Sequence, residues 1–316
     1  MADGVRHLQV SPDYAGQRLD NYLQRLLGRV PKGAVYRLIR RGEVRVNGGR
    51  KAAHYRLKAG DDLRIPPFRP SPRAEPDRAP TGGRATRSLL DDLEQRVLFE
   101  DDDLLIIDKP SGLAVHGGSG VQIGAIEALK QLRSGPFLEL VHRIDRDTSG
   151  CLAIAKSRAT LIALQQQFRE HRVGKRYRLL VDGCWMKGRL RINTPLRRTL
   201  TPSGERRVRV DRRAGKPSQT DVECIRAGTE LSELQASPRT GRTHQIRVHA
   251  ASQGCPVAGD SKYGSDAQQA RWRDHGINRL CLHAERLRLH HGGQRLVVAA
   301  TVPHEFALWF DRANSR

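Results

Sequence analysis

Residues 140–152 read Leu-Val-His-Arg-Ile-Asp-Arg-Asp-Thr-Ser-Gly-Cys-Leu. Charge is concentrated in the middle, at His142, Arg143, Asp145, Arg146 and Asp147. Apolar residues flank it: Leu138, Leu140 and Val141 before, Leu152, Ala153 and Ile154 after. Thr148-Ser149-Gly150 is a turn signal. The pattern predicts two strand ends that present a polar loop. Loops held on a rigid scaffold are where binding and catalytic groups concentrate. On residue types alone the stretch also fits a surface turn closed by an Arg–Asp ion pair.

Composition sets the frame. A chain of 316 residues can bury a sizeable core and has room for two domains. The net charge is +22, from 56 Lys and Arg against 34 Asp and Glu. Such an excess predicts a polyanionic partner. No apolar run approaches the ~18 residues of a membrane span, and the first residues are polar, so neither a span nor a signal peptide is expected. The five cysteines are far apart and form no Cys-x-x-Cys pair. That spacing suggests neither a disulfide framework nor a zinc site, and a reducing cytoplasm fits.

Upstream of the charged loop, residues 1–65 form a basic unit with 13 Lys and Arg against 4 Asp and Glu within the first 60. Leu19, Leu23, Leu26 and Leu27 fall at i, i+4, i+7 and i+8, one stripe of a helix. Pro31 can open a second helix that buries Val35, Leu38 and Ile39 and exposes Arg37, Arg40 and Arg41. Gly42 can end it. Val44 and Val46 then alternate with charges, and Asn47-Gly48 is a hairpin signal. Two short basic helices and a hairpin resemble the S4 RNA-binding domain. On that resemblance Arg37, Arg40 and Arg41 are the expected phosphate contacts. Residues 66–88 are rich in Pro and Gly and read as a linker.

The remainder, 89–316, carries the other blocks. Leu104-Leu105-Ile106-Ile107 predicts a buried strand leading into Lys109-Pro110-Ser111-Gly112-Leu113. His116-Gly117-Gly118-Ser119-Gly120 follows; it has neither P-loop nor dinucleotide spacing and reads as a loop near RNA, with His116 exposed. Ser157 is a candidate N-cap for a helix reaching about Glu170, with Leu161, Leu164 and Phe168 toward the core. Residues 174–183 read as a strand containing Tyr177. Residues 193–220 read as basic loops or a hairpin. After the Thr240-Gly241 turn, Ile246, Val248 and Ala250 alternate with Gln245, Arg247 and His249, which predicts a strand. His244 and His249 have no carboxylate or cysteine at ligand spacing, so they read as strand histidines and not as metal ligands. Two strands around Gly292-Gly293 and a last helix after Pro303, with Phe306, Leu308, Trp309 and Phe310, read as core closure.

Taken in order, Lys-Pro-Ser-Gly-Leu at 109–113, His-Arg-Ile-Asp-Arg-Asp-Thr-Ser-Gly at 142–150, the block around Tyr177 and Thr-Gly-Arg-Thr-His-Gln-Ile-Arg-Val-His at 240–249 resemble the motifs of the RluA-type RNA pseudouridine synthases. The resemblance spans about residues 12–310, with Ile144 where Leu is usual. It implies an α+β protein: a small S4 domain joined to a mixed, mostly antiparallel sheet catalytic domain. It implies isomerisation of specific uridines in large-subunit (23S) ribosomal RNA or its precursor, by a monomer that needs no cofactor and no metal. Asp145 would be the catalytic aspartate, as nucleophile or as base toward the ribose. Arg143 would take the place of the extruded base, Tyr177 would face that base, and Arg242 would pair with the Asp145 carboxylate. Lys-Pro-Ser-Gly-Leu would shape the wall beside the site, and residues 256–264 would form a structural loop. Two other classes remain open at this point: a non-catalytic S4-type RNA-binding or ribosome-assembly protein, and a base-excising glycosylase.

Overall fold

A computed structural model describes residues 4–27, 30, 32–67, 86–117, 123–133, 137–200 and 206–315. It divides into two compact units, 1–79 and 80–316. The Pro/Gly-rich segment falls largely on 68–85, and Gly118-Ser119-Gly120 on 118–122; both lie outside the described residues.

In the first unit, helices Leu19–Leu26 and Lys32–Arg41 pack beside a three-stranded antiparallel sheet of Arg6–Gln9, Asp62–Ile65 and Arg45–Val46. Leu19 and Leu23 are fully buried, and Leu26 and Leu27 pack against the same cluster. The second helix buries Val35, Leu38 and Ile39 and leaves Arg37, Arg40 and Arg41 in solvent. Asn47 adopts the left-handed conformation at φ 51° and Gly48 follows at 73°. That is the pair of positive φ values a tight two-residue hairpin requires.

The second unit is built on one ten-stranded sheet. Its central run is Leu104–Lys109, Ser149–Ala155, Leu282–His291, Gly174–Asp182, Leu231–Pro238 and Gln219–Arg226. All of these pairs are antiparallel except Ser149–Ala155 with Leu282–His291, which is parallel. The sheet is therefore mixed and mostly antiparallel. Residues of Ser149–Ala155 are buried on both faces, as expected for a strand covered above and below. Gly150 sits at φ 107°, and a Cβ there would lie 2.4 Å from the Ala284 carbonyl oxygen. Only glycine lets the parallel neighbour approach this closely. The basic stretch 193–220 is a hairpin, Leu196–Leu200 against Arg206–Val210.

Two expectations fail here. Residues 245–250 belong to a helix, Gln245–Ser252, and not to a strand. A period of two signals a strand only when one face meets water. Here Gln245 through Ala250 are all buried, so alternation carries no in-and-out meaning. The polar residues are satisfied internally: Gln245 Nε2 donates to the Gln219 carbonyl, and His249 lies against Ser218 and Thr220. In the closing helix His304–Asn314, Phe306, Trp309 and Phe310 are buried, but Leu308 is half exposed and takes no part in the core.

Candidate active site

The charged loop runs from the short strand Glu139–Leu140 to Ser149–Ala155, which pair with each other antiparallel. The two strands fix its ends. A backbone bond from Thr148 N to the Asp145 carbonyl closes it at 3.2 Å. The preceding motif holds it from outside. Lys109 is fully buried, and its Nζ donates to the carbonyls of Pro110, Leu113 and Arg146 at 2.8, 2.7 and 2.8 Å. Ser111 Oγ donates to the Asp147 carbonyl, and Arg146 Nε donates back to the Gly112 carbonyl. Lys-Pro-Ser-Gly thus forms a wall tied to the loop by three bonds.

Burial pulls the Lys109 pKa down to about 7, against the pull of Asp147 and Asp145. Only the ammonium form has three N–H groups for three carbonyls, so the geometry favours the charged state. Lys109→Met should leave those carbonyls without their donor. We expect a loss of ~2–4 kcal/mol of stability, since each orphaned buried acceptor costs ~1–3 kcal/mol and water recovers part of it. Urea unfolding reads the loss, and a variant as stable as wild type would show that Lys109 does not hold the wall and the loop together.

His142 points inward from the same loop. Its Nε2 accepts a hydrogen bond from Ala153 N at 3.1 Å, and its ring stacks on Phe168 with centroids 4.8 Å apart. Burial lowers its pKa to about 3, with the Lys175 charge acting in the same direction. The imidazole is neutral, and its role is to fix the loop.

Asp145 lies where two cavities adjoin. One, of about 480 Å³, is lined by Arg143, Asp145, Phe168, Tyr177, Arg242 and Arg247 among others. The other adds Arg146, Arg198 and Lys262. The first volume is in the range that takes a small organic group. Arg143 is exposed at its rim, and its side chain makes no hydrogen bond or ion pair with a described residue. Tyr177 lines the cavity from the strand Gly174–Asp182. Burial raises its phenol pKa, and the Asp145 charge adds to this, so the ring stays neutral.

The guanidinium that meets the Asp145 carboxylate is that of Arg247. Its Nη1 is 3.4 Å from Asp145 Oδ2, while Nε and Nη2 grip Asp260 Oδ2 and Oδ1 at 2.7 Å each. Arg247 is 4% and Asp260 0% exposed, so this is a buried fork with one prong left for Asp145. Burial works against the Arg247 charge, but Asp260 and then Asp145 more than offset it and raise its pKa. Asp260 is held in turn by the backbone N–H groups of Lys262 and Tyr263. The loop of residues 256–264 therefore aims the arginine.

The expected pairing of Arg242 with Asp145 is not observed. Arg242 is exposed, and its Nε donates to the Pro217 carbonyl at 3.1 Å. It lines the cleft without reaching the carboxylate. The physical reason is the helix: it carries Arg247 back under the loop, whereas Arg242 stays in the turn before it. His244, the residue at the helix N-terminus, also faces the site. Its Nδ1 lies 2.7 Å from Tyr263 Oη and its Nε2 3.9 Å from Asp145 Oδ2. It sits in left-handed conformation, φ 51°, and burial lowers its pKa.

The chain matches known proteins over most of its length. Residues 103–252 match the family described as RNA pseudouridylate synthase, and 17–63 match the S4 domain. The chain is 46% identical over 303 residues to ribosomal large subunit pseudouridine synthase C of Haemophilus ducreyi, covering 95% of this chain and 93% of that one. It is 48% identical over 288 residues to the protein of the same name from Vibrio vulnificus, covering 91% and 89%. The Escherichia coli protein of that name is 43% identical over 307 residues, covering 96% and 94%. Among solved structures, Human RNA Pseudouridylate Synthase Domain Containing 1 superposes with a TM-score of 0.58 at 27% identity, covering 67% of this chain and 85% of that chain. With an S4 domain ahead of that fold, the chain belongs to the RNA pseudouridylate synthases, isomerases that convert uridine to pseudouridine in RNA.

Proposed function

We propose that the chain isomerises particular uridines of large-subunit ribosomal RNA and that Asp145 performs the chemistry. The observation that carries the reading is the Asp145 carboxylate at the mouth of a cavity, met by one prong of a buried arginine whose other prongs are taken. A fixed guanidinium beside a carboxylate holds it in one orientation. The names of the relatives supply the ribosomal RNA.

The target uridine leaves its stack, which costs a few kcal/mol. Arg143, exposed and with its side chain unpaired among the described residues, fills the gap it leaves. The base enters beside Tyr177, whose neutral ring offers a face for stacking. Asp145 acts on the ribose side of the N-glycosidic bond. That bond breaks, the uracil turns, and C5 bonds to C1′. C5 gives up its proton and N1 gains one, so the product has the same atoms and the same oxidation state.

Pseudouridine mapping of ribosomal RNA from cells with and without the protein tests the reading. At least one large-subunit site should disappear with the protein. An identical map would remove the assignment. A glycosylase would instead leave abasic positions, and an assembly protein would leave the map intact.

The S4 unit supplies affinity. Arg37, Arg40 and Arg41 project from one helix into solvent. Replacing all three with alanine should reduce the slope of log affinity against log salt by roughly 2 to 3, one phosphate contact per arginine. Single-turnover rate at saturating RNA should hold, since the catalytic cleft lies in the other unit. Filter binding across salt concentrations checks this, and an unchanged slope would place the contacts elsewhere.

A further inference from the structure

We infer that a second face of the catalytic sheet, centred on Arg176, Arg286, Arg288 and Arg295, binds the phosphate backbone of RNA flanking the target nucleotide. This rests on RNA being the substrate and goes beyond it in naming where the flanking strand lies.

The face is a concavity of about 400 Å³ beside the catalytic cleft, with which it shares Lys175 and Pro238. It is formed by three neighbouring antiparallel strands, Gly174–Asp182, Leu282–His291 and Gln294–Ala299. The register puts like charges together. Arg176 lies opposite Arg286, Arg288 opposite both Gly174 and Val297, and Arg295 opposite His290. Leu287 and Leu289 point into the core, so Arg286 and Arg288 share the outer face. Gly174 supplies room for this: a Cβ there would come within 2.9 Å of Arg288 Nε, which lies across it.

No carboxylate lines the concavity. Arg172 and Arg239 at its margin are paired, with Glu170 and Asp221. None of the four central arginine side chains makes a hydrogen bond or ion pair with a described residue. Like charges opposite one another on a sheet destabilise it, so this arrangement costs the free protein stability. Such a cost is offset when a polyanion is bound. Guanidinium forks match phosphate oxygens. The lining has no Phe, Tyr or Trp, and its guanidiniums outnumber the single imidazole of His171, so contact with the backbone dominates here. A strand whose target base is turned into the catalytic cavity can continue past Lys175 onto this face.

The test compares wild type, Arg286→Ala/Arg288→Ala and Arg169→Ala/Arg273→Ala. The second pair removes the same charge from exposed positions outside both cavities. Affinity for a ribosomal RNA fragment is measured by fluorescence anisotropy across salt concentrations, with thermal unfolding as the control for folding. The Arg286/Arg288 pair should lower the salt slope by about 1.4 to 1.8, from 0.7 to 0.9 per lost phosphate contact. It should also unfold no earlier than wild type, because the repulsion across the strands is relieved. The Arg169/Arg273 pair should leave the slope in place. An unchanged slope in the first pair, or an equal fall in both, overturns this surface while leaving the enzyme's substrate as it is. A wild-type protein with no salt-dependent RNA binding would overturn the RNA reading itself, and this surface with it.

Discussion

Asp145→Asn should abolish pseudouridine formation while the protein stays folded and still binds RNA. The substitution keeps the side chain's size and removes its ability to act as nucleophile or base. It leaves Arg247 with its two shorter bonds to Asp260, so no buried cation is orphaned. The Asp145 contact is the longest of the three and its side chain is 27% exposed, so stability should change by less than about 0.5 kcal/mol. The rate should fall by at least about 10³-fold, the upper part of the range for a lost acid–base group and a lower bound for a lost nucleophile. RNA affinity should hold or improve, because a negative charge facing phosphate is gone. Single-turnover conversion of a ribosomal RNA fragment, with binding measured in parallel, decides it. A variant within tenfold of wild type would assign the chemistry to another group.

Much of this site was legible in the sequence, and what was missed has a physical pattern. The loop carrying Asp145 announces itself by charge between two apolar runs, which requires only local reading. The S4 helices follow from Leu19, Leu23 and Val35, Leu38, Ile39 at helical spacing. The mixed sheet came from the family resemblance, since no local pattern specifies that Ser149–Ala155 pairs parallel with a strand more than a hundred residues later. The helix Gln245–Ser252 was illegible because all its faces are covered. Polar residues that bond to other elements then fall wherever those elements are, and a chance alternation passes for a strand. The second error has another source: the pairing of Arg242 with Asp145 came from the family resemblance and not from a local pattern. The helix carries Arg247 to both Asp145 and Asp260 and leaves Arg242 in the turn before it. The one signal in the sequence was Gly259-Asp260, an acidic residue in an otherwise structural loop, which needed a buried cation. His244 reads as a strand histidine for the same reason, and its place facing Asp145 follows from its position at the helix start.

Arg247 should prove indispensable and Arg242 should not. Arg247→Met removes the fork that serves both carboxylates. It leaves Asp260 fully buried without its guanidinium, held by the backbone N–H groups of Lys262 and Tyr263. Breaking a buried pair from one side costs ~3–5 kcal/mol, so this variant should be markedly less stable and inactive. Inactivity alone would then be ambiguous. Arg247→Met/Asp260→Asn resolves it. Asparagine keeps an oxygen for the N–H groups of Lys262 and Tyr263, and no charge is left stranded, so much of the stability should return. The rate should not return, because Asp145 still lacks its cation. Arg247→Lys keeps a charge but cannot grip two oxygens of Asp260 and still reach Asp145, so its rate should also stay low. Arg242→Ala loses one exposed bond to the Pro217 carbonyl. Its stability should stay within about 0.5 kcal/mol of wild type, and any defect should appear in RNA affinity and not in single-turnover rate. Unfolding and single-turnover measurements on the four variants separate the cases. If Arg247→Met/Asp260→Asn regained both stability and rate, the fork would be a structural device alone. If Arg242→Ala lost rate as deeply as that double variant while remaining stable, the carboxylate would depend on Arg242 in the RNA-bound state, and the pairing seen in the free protein would have to be exchanged on binding.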